Sequence, residues 1–474
     1  MKTKISFLLN DTLIETGLNP ATVLLDFIRS NDFTSAKEGC KEGDCGACTV
    51  ICGKLNNGKI IYRTINSCLV PVMNINGAHI VTTEGLNNVS GILTPVQKLF
   101  LKEGASQCGF CTPGFIVSLT GFFLSDNFND DILDSIDGNI CRCTGHNSII
   151  RAAEYFLSEL KDIPEDFDCR IKYLIEKNII PEFFLSAKEK LIYKQKNIEP
   201  KNNKNVSPKY FISGGTDLFV QRPDEMLSSD VSFLSKENSQ ELIYEKDGSC
   251  FIDSTSTVTD IFESKLIQKL FPIISEFTKL FGSTPIRNSA TIGGNINNAS
   301  PIGDMTAFFM ALDADVILSD GNESREVSLK DFYTGYKKTV RMPDEFIKSV
   351  KFNIPDGHYY FNFEKVSKRT YMDIASVNTA LFLQMNEDVI TKINISAGGV
   401  FETPKFLSMT SDFLTGKKIN TDVILEVLEI TDSEISPISD ARGSEKYKRL
   451  LLKRLIWTHF IKLFPELINI KETV

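Results

Sequence analysis

The chain has 474 residues, 42% of them hydrophobic and 24% charged, a balance that excludes dominant disorder or a coiled coil. Its 52 Lys and Arg against 61 Asp and Glu give a net charge of −9, the wrong field for sequence-independent nucleic-acid binding. At roughly 150 residues per domain the length predicts about three domains.

No apolar run approaches the ~20 residues of a membrane span. The longest, Gly114 to Leu124, is interrupted by Ser118, Thr120 and Gly121. Ile5 to Leu9 is too short for the apolar region of a secretory signal, so a cytoplasmic protein without a membrane or nucleic-acid partner is expected.

Residues 1–83 read as short strands around turns. Ile5, Phe7 and Leu9 alternate imperfectly, Pro20 to Arg29 has helical spacing at Leu24, Leu25 and Ile28, and Lys59 to Ile65 follows an Asn-Asn-Gly turn. Residues 84–162 read as helical. Thr94-Pro95 with Gln97, and Thr112-Pro113 before an apolar run, are helix starts. A third helix is predicted over Asn147 to Leu160, with Ile149, Ile150, Ala153 and Phe156 on one side. Residues 163–206, rich in Lys and Asn toward their end, read as a solvated linker. Strands and helices then mix over 207–355 and 356–474.

Nine of the eleven cysteines precede residue 144. An odd count in tight local spacings argues against a disulfide framework and for metal. The first set reads Cys40-x4-Cys45-x2-Cys48 with Cys68 beyond, the plant-type ferredoxin arrangement for a 2Fe-2S cluster. Four thiolates are needed, two on each iron, and three on one loop force the backbone to wrap closely. Gly39, Gly43 and Gly46 relieve that crowding. Structural zinc prefers paired Cys-x2–4-Cys elements and fits this loop badly.

The second set is Cys108-x2-Cys111 with Cys141-x-Cys143. Each pair precedes a predicted helix, whose N-terminus favours an anionic cluster. In isolation this set also fits zinc. Cys52 reads as a small buried hydrophobe, and Cys169 and Cys250 as structural.

These two sets in this order, with "GCKEGDCGACTV", "NSCLVPV", "QCGFCTPG" and "CRCTG", resemble the molybdenum hydroxylase family, which includes xanthine dehydrogenases and aldehyde oxidases. The family usually carries an aromatic after the last Gly, where this chain has His146. The resemblance implies a multidomain α+β chain: a β-grasp ferredoxin-like domain, then a helical-bundle domain, each holding one 2Fe-2S cluster. It also implies that Gln107 reaches molybdopterin on a partner.

Two glycine elements stand in the second half. Gly214-Gly215-Thr216-Asp217 follows an apolar strand, and Thr291-Ile292-Gly293-Gly294-Asn295 precedes Ser300-Pro301 and Asp304. Glycine lets backbone N–H groups approach a phosphate, and Thr216 adds a hydroxyl. No G-x-G-x-x-G or P-loop occurs. Both elements resemble the two-part α/β FAD-binding domain of the same family, with a C-terminal α+β flavoprotein domain after it. By that resemblance Phe211, Ile212, Ser213, Gly214, Gly215, Thr216, Asp217 and Leu218 form the first flavin loop, and Phe281, Thr291, Asp304, Ile347 and Lys365 the second region. On the residues alone, Asp304 also reads as a helix cap, Phe281 as core and Lys365 as a surface lysine.

The resemblance implies the electron-transfer subunit of a two-subunit enzyme of the xanthine dehydrogenase kind, without the molybdopterin-binding half. Electrons from a molybdopterin-binding large subunit would pass through the Cys108 set, the Cys40 set and FAD to NAD, in a heterotetramer of two small and two large chains. No acid-base catalytic residue is expected here. A hydroxylase of an aldehyde, another heterocycle or an aryl thioester, and a standalone iron-sulfur flavoprotein reductase, are the alternatives.

Overall fold

A computed structural model describes residues 4–87, 91–126, 128, 131–195, 208–235, 241–369 and 371–468. The chain forms two compact units. One comprises Met1–Phe233 with Ser283–Ala290, the other Leu234–Gly282 with Thr291–Val474.

The first unit opens with a five-stranded sheet in the order Thr12–Thr16, Ile5–Leu9, His79–Val81, Thr49–Asn56, Lys59–Asn66. His79–Val81 runs parallel to Ile5–Leu9, and the other pairings are antiparallel. The Asn56–Lys59 hairpin needs positive φ at both central residues, which Asn57 (48°) and Gly58 (75°) supply. Helix Leu24–Ser30 buries Leu24, Leu25, Phe27 and Ile28 on one face of the sheet.

The imperfect alternation of Ile5–Leu9 has a physical cause: both faces of this strand are covered. Ile5, Phe7 and Leu9 join the core around Leu24, whereas Leu8 joins that of the following helices. Those helices are Pro95–Lys102, Thr112–Leu124 and Asn147–Glu159. Thr112–Leu124 is buried all round from Gly114 onward, as its unbroken apolar character dictates. It lies so close to the sheet that a Cβ on Gly121 would stand 2.6 Å from the Thr64 methyl.

The stretch read as a solvated linker is corrected over 163–195. Helices Phe167–Glu176 and Phe184–Gln195 stand there. Ile171, Leu174, Ile179, Ile180, Phe184, Ala187 and Leu191 are all buried, and Phe184 packs on Tyr62 and His79 with ring centroids at 5.3 and 5.4 Å. The Lys and Asn richness that suggested a linker belongs to the residues after 187. Residues 196–207 lie outside the described ones.

The first unit also takes part of the stretch read as one FAD-binding domain. Strand Tyr210–Ile212 pairs in parallel with Val231–Phe233, and Ile212, Phe219 and Met226 join the core around Phe7 and Leu24. Residues 283–290 are held in this unit by a buried ion pair, Arg287 Nη2 to Asp137 Oδ2 at 3.2 Å. Thr284 N donates to Asp137 Oδ1 and Asn288 Nδ2 to the Thr64 carbonyl.

Among the described residues the second unit has a two-stranded sheet, Tyr333–Gly335 with Lys338–Thr339, and two larger antiparallel sheets. One is ordered Ser324–Ser328, Asp315–Ser319, Phe346–Asn353, Ser249–Asp253, Ile243–Lys246. The other is ordered Tyr359–Val366, Val377–Asn386, Val389–Gly398, Lys405–Phe406. Helix Asp304–Ala311 is tied to the second sheet where Ser396 Oγ and Asn394 Nδ2 donate to the Ala307 and Ala311 carbonyls. Helices Ser408–Leu414, Thr421–Glu434 and Glu445–Leu463 complete that core. Among the described residues no helix is long and apolar enough to cross a membrane.

Candidate functional site

The loop bearing Cys40, Cys45 and Cys48 turns through left-handed backbone at Lys41, Gly43 and Gly46. A Cβ on Gly39 would come within 2.7 Å of Cys45 Sγ, and one on Gly46 within 2.4 Å of the Gly138 carbonyl. Gly39 therefore serves by its missing side chain alone, since its φ is not left-handed. The backbone N–H of Glu42 points at Cys40 Sγ (3.3 Å).

The eight candidate thiols meet as pairs. Cys48 and Cys68 sulfurs stand 3.3 Å apart and those of Cys108 and Cys143 3.5 Å apart. Cys40 is hydrogen-bonded to Cys45, and Cys111 to Cys141. Among the described residues no three ligating side chains gather about a single point. Pairing by twos is what two irons, each holding two thiolates, require; one tetrahedral zinc requires four sulfurs around a centre.

In each pair one thiol is held down and its mate pushed up. Cys40 is brought to about 4 by the bond from Cys45, helped by the amides of Glu42 and Asp44. The Cys68 side chain lowers Cys48, and the Phe110 amide lowers Cys108. Burial opposes ionisation of Cys141, but the Thr144 hydroxyl and amide overcome it. Cys45, Cys68 and Cys143 are raised, first by the hydrogen bonds to their partner sulfurs, and Cys111, chiefly by burial, to about 12. Hydrogen-bond donors thus favour the thiolate form of one sulfur in each pair, and the donor set fits a thiolate-bound cluster.

The second set sits at two helix starts. Cys111 caps Thr112–Leu124, and His146 caps Asn147–Glu159. Cys108 and Cys143 are exposed, whereas Cys141 is buried. The two sets share a wall. Ile140 N donates to the Cys45 carbonyl at 3.0 Å, and Asn139 Nδ2 to the Gly46 carbonyl at 3.2 Å. Phe110 borders Gly39. Of the remaining cysteines, Cys52 and Cys250 are buried as expected, but Cys169 is exposed, so the structural reading is corrected there. Its amide donates to the Asp166 cap, and its thiol is hydrogen-bonded to the same carboxylate.

The flavin candidates divide between the units. In the first, Gly215 adopts φ 83° and starts helix Thr216–Gln221, and Asn74 Nδ2 donates to the Ser213 carbonyl at 2.7 Å. Phe211, Ile212, Gly214, Asp217 and Leu218 lie on the same strand-turn-helix element.

In the second unit Phe281, Asp304 and Lys365 come together. Lys365 is not a surface lysine: its side chain is 3% exposed, and Nζ donates to Asp304 Oδ2 and to the Leu280 carbonyl, both at 2.6 Å. Phe281 packs on Phe363, two residues before Lys365, at 4.8 Å. Asp304 does open a helix, yet its carboxylate is directed to Lys365 and to Asn378 Nδ2 (2.6 Å). Thr291 Oγ1 accepts from Gly294 N in the second glycine element, and Ile347 is buried beside Leu318 in the neighbouring sheet.

The sequence reading missed Asn378. It is fully buried, and its Oδ1 has no protein partner, as is also true of Asn295 Oδ1 in the second glycine element. Buried amide oxygens without a donor are costly, and a polar ligand would satisfy them. An Asn inside the largely apolar strand Val377–Asn386 was the available signal.

Three family models match in succession: a [2Fe-2S] binding domain over 82–154, the FAD binding domain in molybdopterin dehydrogenase over 201–356, and the CO dehydrogenase flavoprotein C-terminal domain over 362–463. In their order these domains make the chain similar to the molybdenum hydroxylases. Among its relatives are the xanthine dehydrogenases of Emericella nidulans, 27% identical over 89% of this chain and 36% of theirs, and of Calliphora vicina, 27% identical over 98% and 39%. The chain thus spans less than two fifths of the length of these relatives. A solved quinoline 2-oxidoreductase from Pseudomonas putida 86 matches 53% of this chain and 88% of its own at 24% identity, with a TM-score of 0.48.

Proposed function

We propose that this chain is the electron-transfer component of a cytoplasmic xanthine dehydrogenase, working with a molybdopterin-bearing large subunit, two of each in a heterotetramer, and with NAD as acceptor. The carrying observation is the hydrogen bond from Ile140 N, directly before Cys141, to the carbonyl of Cys45. It joins the backbones of the two thiol sets through one short link, the arrangement a relay needs and an isolated structural ion does not.

When bound, the clusters pass single electrons, and FAD collects two for transfer to NAD as hydride. The chain's own residues bind, space and tune. Cys40 with Cys45 and Cys48 with Cys68 would each hold one iron, as would Cys108 with Cys143 and Cys111 with Cys141. Cys108 and Cys143 are exposed beside Phe110 (44%) and Ile140 (40%), which gives the second set a surface for a partner. In the second unit Lys365, fixed by Asp304 and Leu280, would hold a positive charge toward a flavin.

The test is purification of the native complex. Four iron and four labile sulfides per chain, a molybdenum-containing partner and NADH formation from xanthine are expected. Stoichiometric zinc without iron, or no oxidation of any purine by a complex with intact clusters, would overturn the reading.

A further inference from the structure

The family's usual aromatic after Cys-Arg-Cys-Thr-Gly is replaced here by His146. Its ring supplies an acceptor that a phenyl ring in that place would lack. Nε2 accepts the backbone N–H of Cys141 at 3.0 Å. With Nε2 accepting, the ring hydrogen belongs on Nδ1. Two further bonds close a circle: His146 N donates to Thr144 Oγ1 at 3.3 Å, and the Thr144 hydroxyl donates to Cys141 Sγ at 3.1 Å. The ring is held edge-on to the fully buried Phe115, with centroids 5.7 Å apart. His146 itself has φ 68°, a left-handed conformation that His adopts more readily than most side chains.

The position of this bond gives it a role. The amide of Ile140 is bound by Cys45 of the first set, and the next amide, that of Cys141, by His146 of the second. Two consecutive peptide planes leading into a candidate ligand are therefore fixed from opposite sides. Hydrogen bonds around ligand sulfurs set the potential of an iron-sulfur cluster, and groups behind the ligands orient them. An imidazole lone pair aimed at Cys141 also brings partial negative charge toward that ligand, which disfavours the reduced, more negative cluster.

We propose that His146 is a positioning residue for the second cluster, consuming the Cys141 amide and thereby keeping that cluster's potential lower than a purely aromatic side chain would. The inference rests on the proposed 2Fe-2S occupancy of Cys108, Cys111, Cys141 and Cys143.

The test compares His146→Phe and His146→Gln in the native complex by EPR-monitored redox titration. His146→Phe keeps a ring against Phe115 but has no acceptor, and His146→Gln restores an acceptor oxygen at similar reach. In His146→Phe the second cluster's reduced-to-oxidised ratio at fixed potential should rise about three-fold, ~30 mV at 59 mV per decade for one electron. The first cluster should titrate as in the unmodified protein, and His146→Gln should lie close to it for both. Assembly of the second cluster in His146→Gln but not in His146→Phe would also support the positioning role. Unshifted titration of His146→Phe with both signals intact overturns this inference alone, as does a His146→Gln shift as large as that of Phe. Absence of iron from the unmodified chain overturns the proposed function, and this inference with it.

Discussion

Lys365 and Asp304, sixty-one positions apart in the chain, form an ion pair at 2.6 Å with the lysine almost wholly removed from solvent. Removing one member leaves the other as a buried charge, which typically costs about 3–5 kcal/mol. Lys365→Met is therefore expected to lower thermal stability and flavin content, because Asp304 keeps only Asn378 as a side-chain donor. Absorbance at the flavin bands and a thermal melt check both. Full flavin occupancy in Lys365→Met would remove the residue from the locus.

The flavin itself is expected to be FAD held without a covalent bond. Acid precipitation should leave it in the supernatant. Flavin retained in the pellet, or FMN in its place, contradicts the assignment of the two glycine elements.

Cys45→Ser is expected to eliminate or alter one EPR signal and leave the other. Cys45 shares its side chain with Cys40 and its carbonyl with Ile140. The backbone link survives the substitution, so the second set should assemble normally. Loss of both signals would show that the two sets do not assemble independently.

Gln107 stands exposed beside Cys108. Gln107→Ala should leave both clusters and FAD in place and keep NADH oxidation by an artificial dye. Purine-driven bleaching of the clusters should slow several-fold, as expected for loss of one ordinary hydrogen bond of ~0.5–1.5 kcal/mol. Impaired dye reduction with unchanged purine-driven bleaching would reverse the proposed direction of electron flow.

Acid should weaken the first unit through His79. Burial lowers its pKa to about 4, and the ring is fully enclosed, bonded to Tyr62 OH and the Asn10 carbonyl. A histidine lowered on folding leaves stability intact above the unfolded value of ~6.5 and drains it as pH falls toward 4. The loss approaches about 3 kcal/mol, at 1.36 kcal/mol per pKa unit. His79→Gln should flatten the denaturation profile between pH 6.5 and 4, and an unchanged slope would discard this account.

The thiol sets were legible because their chemistry is local: Cys40, Cys45 and Cys48 lie on one loop, and Thr112 and Asn147 open helices right after the second set's pairs. The flavin locus was legible only by resemblance, since Lys365, Asp304 and Asn378 meet through strand pairing and helix docking that no short window records. Helices Phe167–Glu176 and Phe184–Gln195 were missed because the polar composition after residue 187 outweighed the helical spacing of Ile171, Leu174, Phe184 and Leu191. The placement of Ser283–Ala290 in the first unit has no sequence signal: Pro285 and Ile286 pack on Gly138 and Gly43, contacts made possible by the absence of side chains elsewhere in the chain.

That last segment imposes an order on synthesis. Asp137 is a mostly buried acid whose guanidinium partner, Arg287, is made only after all of Leu234–Gly282 has been translated. At about 5–20 residues per second a nascent chain waits several seconds between completing Phe233 and receiving that partner. Throughout this interval the wall behind Gly43 and Gly138 lacks Ile286 and Pro285, so the first thiol loop is uncovered on that side until residue 287 arrives.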